Sequence, residues 1–223
     1  GEVYMATLKS YATSSVGRKI LMAVTGLALV LFVVAHLVGN LTLLMGSDAF
    51  NGYAHFLEHL MHGMFIYIAE AGLIAFFLVH AYSGVKVYRQ KKAARKTGYQ
   101  VVGDAGGASQ KTLASKTMIL SGPIILIFVV LHVFHFKFGP GVEQNYITVV
   151  HGTEMRDLYL LVIQEFNKPL MVLGYIVVMV LLGLHLRHGI WSGLQSLGLT
   201  KPSSLSCLVA LSVVLGVVLA FGF

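Results

Sequence analysis

Cysteine is all but missing from this chain of 223 residues, which carries Cys207 alone. A single thiol rules out a disulfide framework and the Cys-x-x-Cys-His attachment of a covalent haem. Charge is scarce too: Asp, Glu, Lys and Arg make up 11% of residues, against roughly 25% in an ordinary soluble domain. No basic-and-aromatic nucleic-acid motif occurs, and no stretch has the make-up of a soluble catalytic domain. A cleavable leader is not expected, because the apolar run from Ile20 is too long and lacks a small-residue cleavage site.

What the chain has is hydrocarbon. Hydrophobic residues reach 57% and the mean hydropathy is +0.79. Ile20 to Ser47, Thr117 to Phe136, Pro169 to Leu186 and Pro202 to Phe223 contain no Lys, Arg, Asp or Glu, and Met64 to Val85 is broken only by Glu70. A bilayer core takes about 20 apolar residues as a helix, whereas barrel strands are about half as long and alternate in polarity. The sequence therefore predicts an all-α polytopic membrane protein, one membrane domain over 1–223, with five transmembrane helices at roughly 20–45, 64–88, 117–138, 169–193 and 204–223.

The basic residues fix the expected orientation. All but three of the 16 Lys and Arg fall in connections on one side, whereas Lys137, Arg156 and Lys168 share the other side with Asp48, Glu58, Glu143, Glu154, Asp157 and Glu165. This places the amino terminus in the cytoplasm and the protein in the cell's inner (cytoplasmic) membrane as a multi-pass chain. The net charge of +7 then belongs to an inner belt suited to anionic lipid or a partner subunit, not to nucleic acid. The inner connection Gln90 to Lys116, with Gly103, Gly106, Gly107 and Ser109, reads as a flexible polar loop. In the outer connection, Met155 to Phe166 reads as a short interfacial helix.

Four histidines, His36, His80, His132 and His185, each lie in a different apolar run. Ionisable groups at membrane depth are costly and point to function. At 1.5 Å per residue, His36 and His132 lie about 25 Å and 24 Å from the inner-side residues Lys19 and Lys116, whereas His80 is about 14 Å from Arg89. His185 precedes Arg187 and the interfacial Trp191. Depth thus pairs His36 with His132 in an outer layer and His80 with His185 in an inner one. Imidazoles from four helices in two layers are what two bis-histidine haems b require, with the first four helices forming the haem-binding bundle and the fifth peripheral. Any one of these histidines alone reads more readily as a hydrogen-bonded packing residue or a proton relay than as a metal ligand. His135, beside Phe136 and Lys137, reads as interfacial, and His188, after Arg187, as a partner of an inner haem propionate or of the inner surface. Glu70 reads as a hydrogen-bonded packing group or a proton path.

Several segments resemble a known family. Ser14 to Lys19 (SSVGRK), Met22 to Leu27 (MAVTGL), His36 to Leu41 (HLVGNL), Ala54 to Glu58 (AHFLE), His80 to Gly84 (HAYSG), Leu131 to Val133 and His185 to Ser192 (HLRHGIWS) are similar in order and spacing to the di-haem, b558-type cytochrome b anchor of succinate:quinone oxidoreductase and fumarate reductase, respiratory complex II. The resemblance runs over nearly the whole chain and assigns iron ligation to the same four histidines, in the same pairs. It implies flavoprotein and iron-sulphur partner subunits on the cytoplasmic side, with dicarboxylate chemistry of the tricarboxylic acid cycle in those subunits. It also implies a quinone (menaquinone or ubiquinone) reduced near the outer haem, with Glu58 supplying protons. His55 falls in the quinone vicinity; His59 and His62 read as relay groups or as a solvated loop. The alternatives are a quinol-oxidising fumarate reductase anchor, a di-haem cytochrome b of a hydrogenase or formate dehydrogenase, and a haem-free anchor in which the histidines only pack.

Overall fold

A computed structural model describes residues 14–94 and 112–223. Most of the expected flexible inner loop, and the chain ahead of Ser14, lie outside the described residues. Among the described residues seven helices run in order: α1 (Ser15–Asn40, continued as a 3-10 turn over Leu41–Met45), α2 (Ser47–His59), α3 (Met64–Ala93), α4 (Leu113–Phe136), α5 (Leu158–Phe166), α6 (Pro169–Ser196) and α7 (Leu205–Phe221). Five of these segments, α1, α3, α4, α6 and α7, are long and apolar enough to cross a membrane. The chain is an all-α polytopic membrane protein.

Local chemistry explains the boundaries. The Ser14 hydroxyl accepts the Gly17 N–H at 3.0 Å, and the Thr112 hydroxyl accepts that of Ser115 at 3.2 Å, so the first turns of α1 and α4 are capped by side chains. Pro169 opens α6, where its missing N–H costs nothing. Within the spans, lone hydroxyls fold back on the backbone: Thr25 donates to the Leu21 carbonyl at 2.7 Å and Ser212 to that of Val209 at 2.8 Å. Hydrocarbon offers no water to satisfy them otherwise. Large apolar side chains such as Leu31, Leu78, Phe134 and Leu170 point away from the protein, as a lipid-facing surface requires.

The spans are ordered around a ring. α1 packs on α3 and on α6, and α6 packs on α4, which gives the order α3, α1, α6, α4; α3 and α4 have no comparable packing. A Leu37, Leu186, Ile190 and Leu219 cluster joins α1, α6 and α7. α7 lies outside the ring against α6, where Gly183 and Gly216 meet so closely that a Cβ at Gly183 would fall 2.8 Å from the Gly216 carbonyl oxygen. The end of the chain nevertheless returns to the ring, since Phe223 meets His36 at 5.6 Å between ring centres.

The long connections are more structured than their composition predicts. Ser47–His59, read only as an outer segment, is the helix α2. Thr153–Arg156 is a strand, so Met155 and Arg156 do not begin the interfacial helix, which starts at Leu158. That strand pairs antiparallel with Ile147–Val150, joined through His151 and Gly152, both at positive φ as a tight primed hairpin turn demands. Buried Asn51 ties α2 to α5: it donates to Asp157 at 2.9 Å and accepts the Tyr159 N–H at 2.9 Å. Tyr53 of α2 sits directly on Gly39 of α1, where a Cβ would come within 2.7 Å of its ring. The result is a lid of α2, the hairpin and α5 over the end of the ring that carries His36.

Candidate functional site

The four span histidines meet in two pairs. His36 and His132 have ring centres 5.9 Å apart with planes at 85°, and His80 and His185 are 6.4 Å apart with planes at 62°. In the ring order α3, α1, α6, α4, the first pair spans one diagonal and the second the other. Along α6, Tyr175, which meets the first pair, and His185 are ten residues apart, about 15 Å, so the pairs form separate layers. This is the pairing that depth in the sequence predicts.

The other ring nitrogen is anchored in three of the four. His80 Nδ1 lies 3.1 Å from the Met22 carbonyl oxygen, which can only accept, so Nδ1 carries the proton and Nε2 holds a free lone pair. His185 Nδ1 lies 3.0 Å from Ser121 Oγ. The Ser121 hydroxyl itself donates to the Met118 carbonyl at 3.4 Å, which leaves its oxygen to accept from His185. His132 Nδ1 meets the Tyr175 hydroxyl at 2.9 Å. Metal-ligating imidazoles are commonly held in this way, by a hydrogen bond at one nitrogen with the other left open. His36 is held by rings instead: Phe32 stacks on it at 5.5 Å, with Phe223 on another side.

These residues fit a b-type haem. Imidazoles from two facing helices that held one iron, with metal–nitrogen bonds of about 2 Å and about 1 Å more from nitrogen to ring centre on each side, would have ring centres about 6 Å apart, the spacing both pairs show. Gly26 makes room: a Cβ there would lie 2.9 Å from His80 Cε1, so no larger residue could face that ring unshifted. Gly122 touches His185 only at 3.9 Å, and Gly72, Gly174 and Gly189 face open space, so those four have no comparably close neighbour. Sequence reasoning missed Met22, Ser121 and Tyr175; a backbone carbonyl leaves no mark in a sequence, and one serine or tyrosine among many in membrane helices carries no signal.

The remaining sequence candidates lie elsewhere. Glu58 is exposed on α2, with His55 and His59 beside it, their ligand atoms all within 4.8 Å of one another. Arg156 is the cation in its field; desolvation pulls that guanidinium below its ordinary range and Glu58 partly restores it. Arg156 itself donates to the Pro140 carbonyl at 3.0 Å and the Lys137 carbonyl at 3.3 Å. Among the described residues no hydrogen bond or ring contact links this group to the His36–His132 pair. His62 lies on the turn after α2. His188 stands near Lys91 and Arg187 at the basic end of the ring. Glu70 pairs with Lys137 across the side between α3 and α4.

His135 is engaged by a residue the sequence reading passed over. Its Nε2 lies 3.0 Å from Glu165 Oε2, and Lys168 Nζ lies 2.6 Å from Oε1 of the same carboxylate. The Lys168 hydrogen bond, with the charges of His135 and Lys168, holds the Glu165 carboxyl below the usual range in spite of its burial.

Set against protein-family models, curated proteins and solved structures, the chain finds no match in any of the three.

Proposed function

We propose that this chain is the membrane anchor and electron-transfer subunit of a succinate:quinone oxidoreductase, carrying electrons from an iron-sulphur subunit to a membrane quinone. One observation carries the reading: two pairs of imidazoles, on opposite diagonals of a membrane-embedded helical ring, at the separation a single iron requires, with Nδ1 anchored in three of the four rings. Haem b at each pair would supply one-electron carriage across the bilayer. His80 and His185 would hold the haem at the basic end, and His36 and His132 the one at the lid end.

The chain's own residues do the rest. The Met22 carbonyl and the Ser121 hydroxyl keep His80 and His185 in one tautomer, and the Tyr175 hydroxyl holds the orientation of His132, so that ligation costs little reordering. The basic end, with Arg18, Lys19, Lys86, Arg89, Lys91, Lys92 and Arg187, offers a docking face for acidic partner surfaces on the cytoplasmic side. At the lid, Glu58 would give protons to the quinone oxygens, with His55 beside it; a quinone that gains two electrons needs two protons to become a neutral quinol. The family resemblance supports the same assignment of Glu58 and of the flavoprotein and iron-sulphur partners.

The decisive experiment is the reduced-minus-oxidised spectrum of the purified complex, with haem quantified per chain. Two b-type haems are expected, and His36→Leu should lose one spectral component while keeping the other. Two haems retained in that variant, or none in the parent, would overturn the reading.

A further inference from the structure

The lid carries a group of ligand atoms that the electron path does not use. His55, Glu58 and His59 occupy positions i, i+3 and i+4 of α2, which puts all three on one face of the helix. Their ligand atoms lie within 4.8 Å of one another. His59 Nδ1 is 2.9 Å from the His55 carbonyl oxygen, an acceptor only, so Nδ1 carries the proton and Nε2 presents its lone pair. The two rings lie 3.9 Å apart at their centres, and no described residue donates a hydrogen bond to Glu58. Arg156, the cation that feels its charge, donates from Nε and Nη1 to the carbonyls of Pro140 and Lys137, and its Nη2 has no partner among the described residues.

A second observation lies next to this group. A shallow depression of about 530 Å3, largely open to the surroundings, lies beside it, lined in part by His55, His59, Met61 and His62. Met61 and His62 both adopt left-handed backbone, with φ of 54° and 56°, ahead of Gly63 at 83°. Such backbone is strained in a non-glycine residue, and strain of this kind gathers at ligand clamps. Here it brings a third imidazole to the wall of the same depression.

We propose that His55, Glu58 and His59 form a binding site for a divalent transition-metal ion of the zinc class, open on its fourth side to the depression and to His62, and that a bound ion holds Glu58 back from proton delivery. Two imidazoles and a carboxylate suit zinc, nickel or copper rather than magnesium or calcium. Zinc bonds of about 2 Å set tetrahedral ligand atoms roughly 3.3 Å apart, which rotation of these side chains on an accessible helix face reaches. The ion's positive charge opposes protonation of the carboxylate that holds it, so Glu58 has no proton to hand on. The site thus deepens the reading of Glu58 above, and its inhibitory half rests on that reading.

Two measurements on the purified complex test it. Equilibrium dialysis against zinc in a non-chelating buffer, with metal counted per chain, should give one saturable site; His59→Ala should weaken it about tenfold or more, and His55→Ala with His59→Ala should abolish it. The haem spectrum of each variant reports whether the bundle is intact. Absence of a saturable site, or binding unchanged in the double variant, overturns the proposal whatever the haem content or quinone activity. In the second measurement zinc should inhibit quinone turnover by the parent and leave His59→Ala resistant. Full turnover with the site loaded overturns the inhibitory role alone, whereas an active zinc-free complex is a test of the function proposed above and not of the metal site.

Discussion

At the scale of single residues, the imidazoles matter less for being histidines than for what holds their far nitrogen. His132 relies on one phenol, Tyr175, at 2.9 Å; Phe166 and Phe128 in turn fix that ring edge-on at 4.8 Å and 5.0 Å. Replacing Tyr175 with Phe keeps the packing and removes the oxygen. The expected result is a haem at the lid-end pair bound roughly 10- to 100-fold more weakly, with a shifted midpoint potential and the other haem unaltered in a redox titration. An unchanged titration would show that the phenol does not orient His132. The four histidines themselves were legible in the sequence because an ionisable group inside an uncharged run of hydrocarbon stands out. Their supports were not, since Gly26 and the Met22 carbonyl acquire their role only when α3 lies against α1.

At the scale of elements, two contacts make separate predictions. α6 and α7 meet backbone to backbone at Gly183 and Gly216, so Gly183→Leu should drive the helices apart and lower the thermal stability of the detergent-solubilised protein by several degrees. Close glycine contacts are a principal source of helix attraction in lipid, where apolar burial contributes little. The second contact is α5 against α4 through Glu165, His135 and Lys168. The folded-state pKa of Glu165 lies below its unfolded value, so the ionised carboxylate contributes stability in full above about pH 4.3, the unfolded value, and loses it as pH falls through the folded value. Melting temperature should therefore drop on acidification below about pH 4.3, and Glu165→Gln should remove that part of the drop; a parallel pair of curves would refute the link. The five long spans were legible because their apolar runs exceed what any strand needs. α2 and the hairpin were not: α2 has polar residues on most of its surface and owes its place to Asn51 and Tyr53, and the hairpin is announced only by His151 and Gly152.

For the whole molecule, charge and apolar surface divide the protein into a basic end, a lipid-facing belt and a lid. That division underlies the proposed direction of electron travel, from a partner at the basic end towards a quinone at the lid. Glu58→Gln leaves charge pairing in the ring untouched and removes only the proposed proton donor, so quinone turnover should fall by about 100-fold or more, the usual worth of a general acid, with both haems present. Wild-type turnover in that variant would remove Glu58 from the proton path and leave the haem assignment standing. Sequence alone sorted the charges to the two ends, but it could not show that α2, α5 and the hairpin fold together over one of them, because the contacts that join them span about a hundred residues.

The ring has three sides closed by helix packing, and on the fourth α3 and α4 are joined by the Glu70–Lys137 ion pair. A wall fastened by a clasp opens without dismantling the other three. Were a flat, rigid cofactor to enter the assembled chain from the bilayer, this side would be its way in, and the latch would be a carboxylate and an amine.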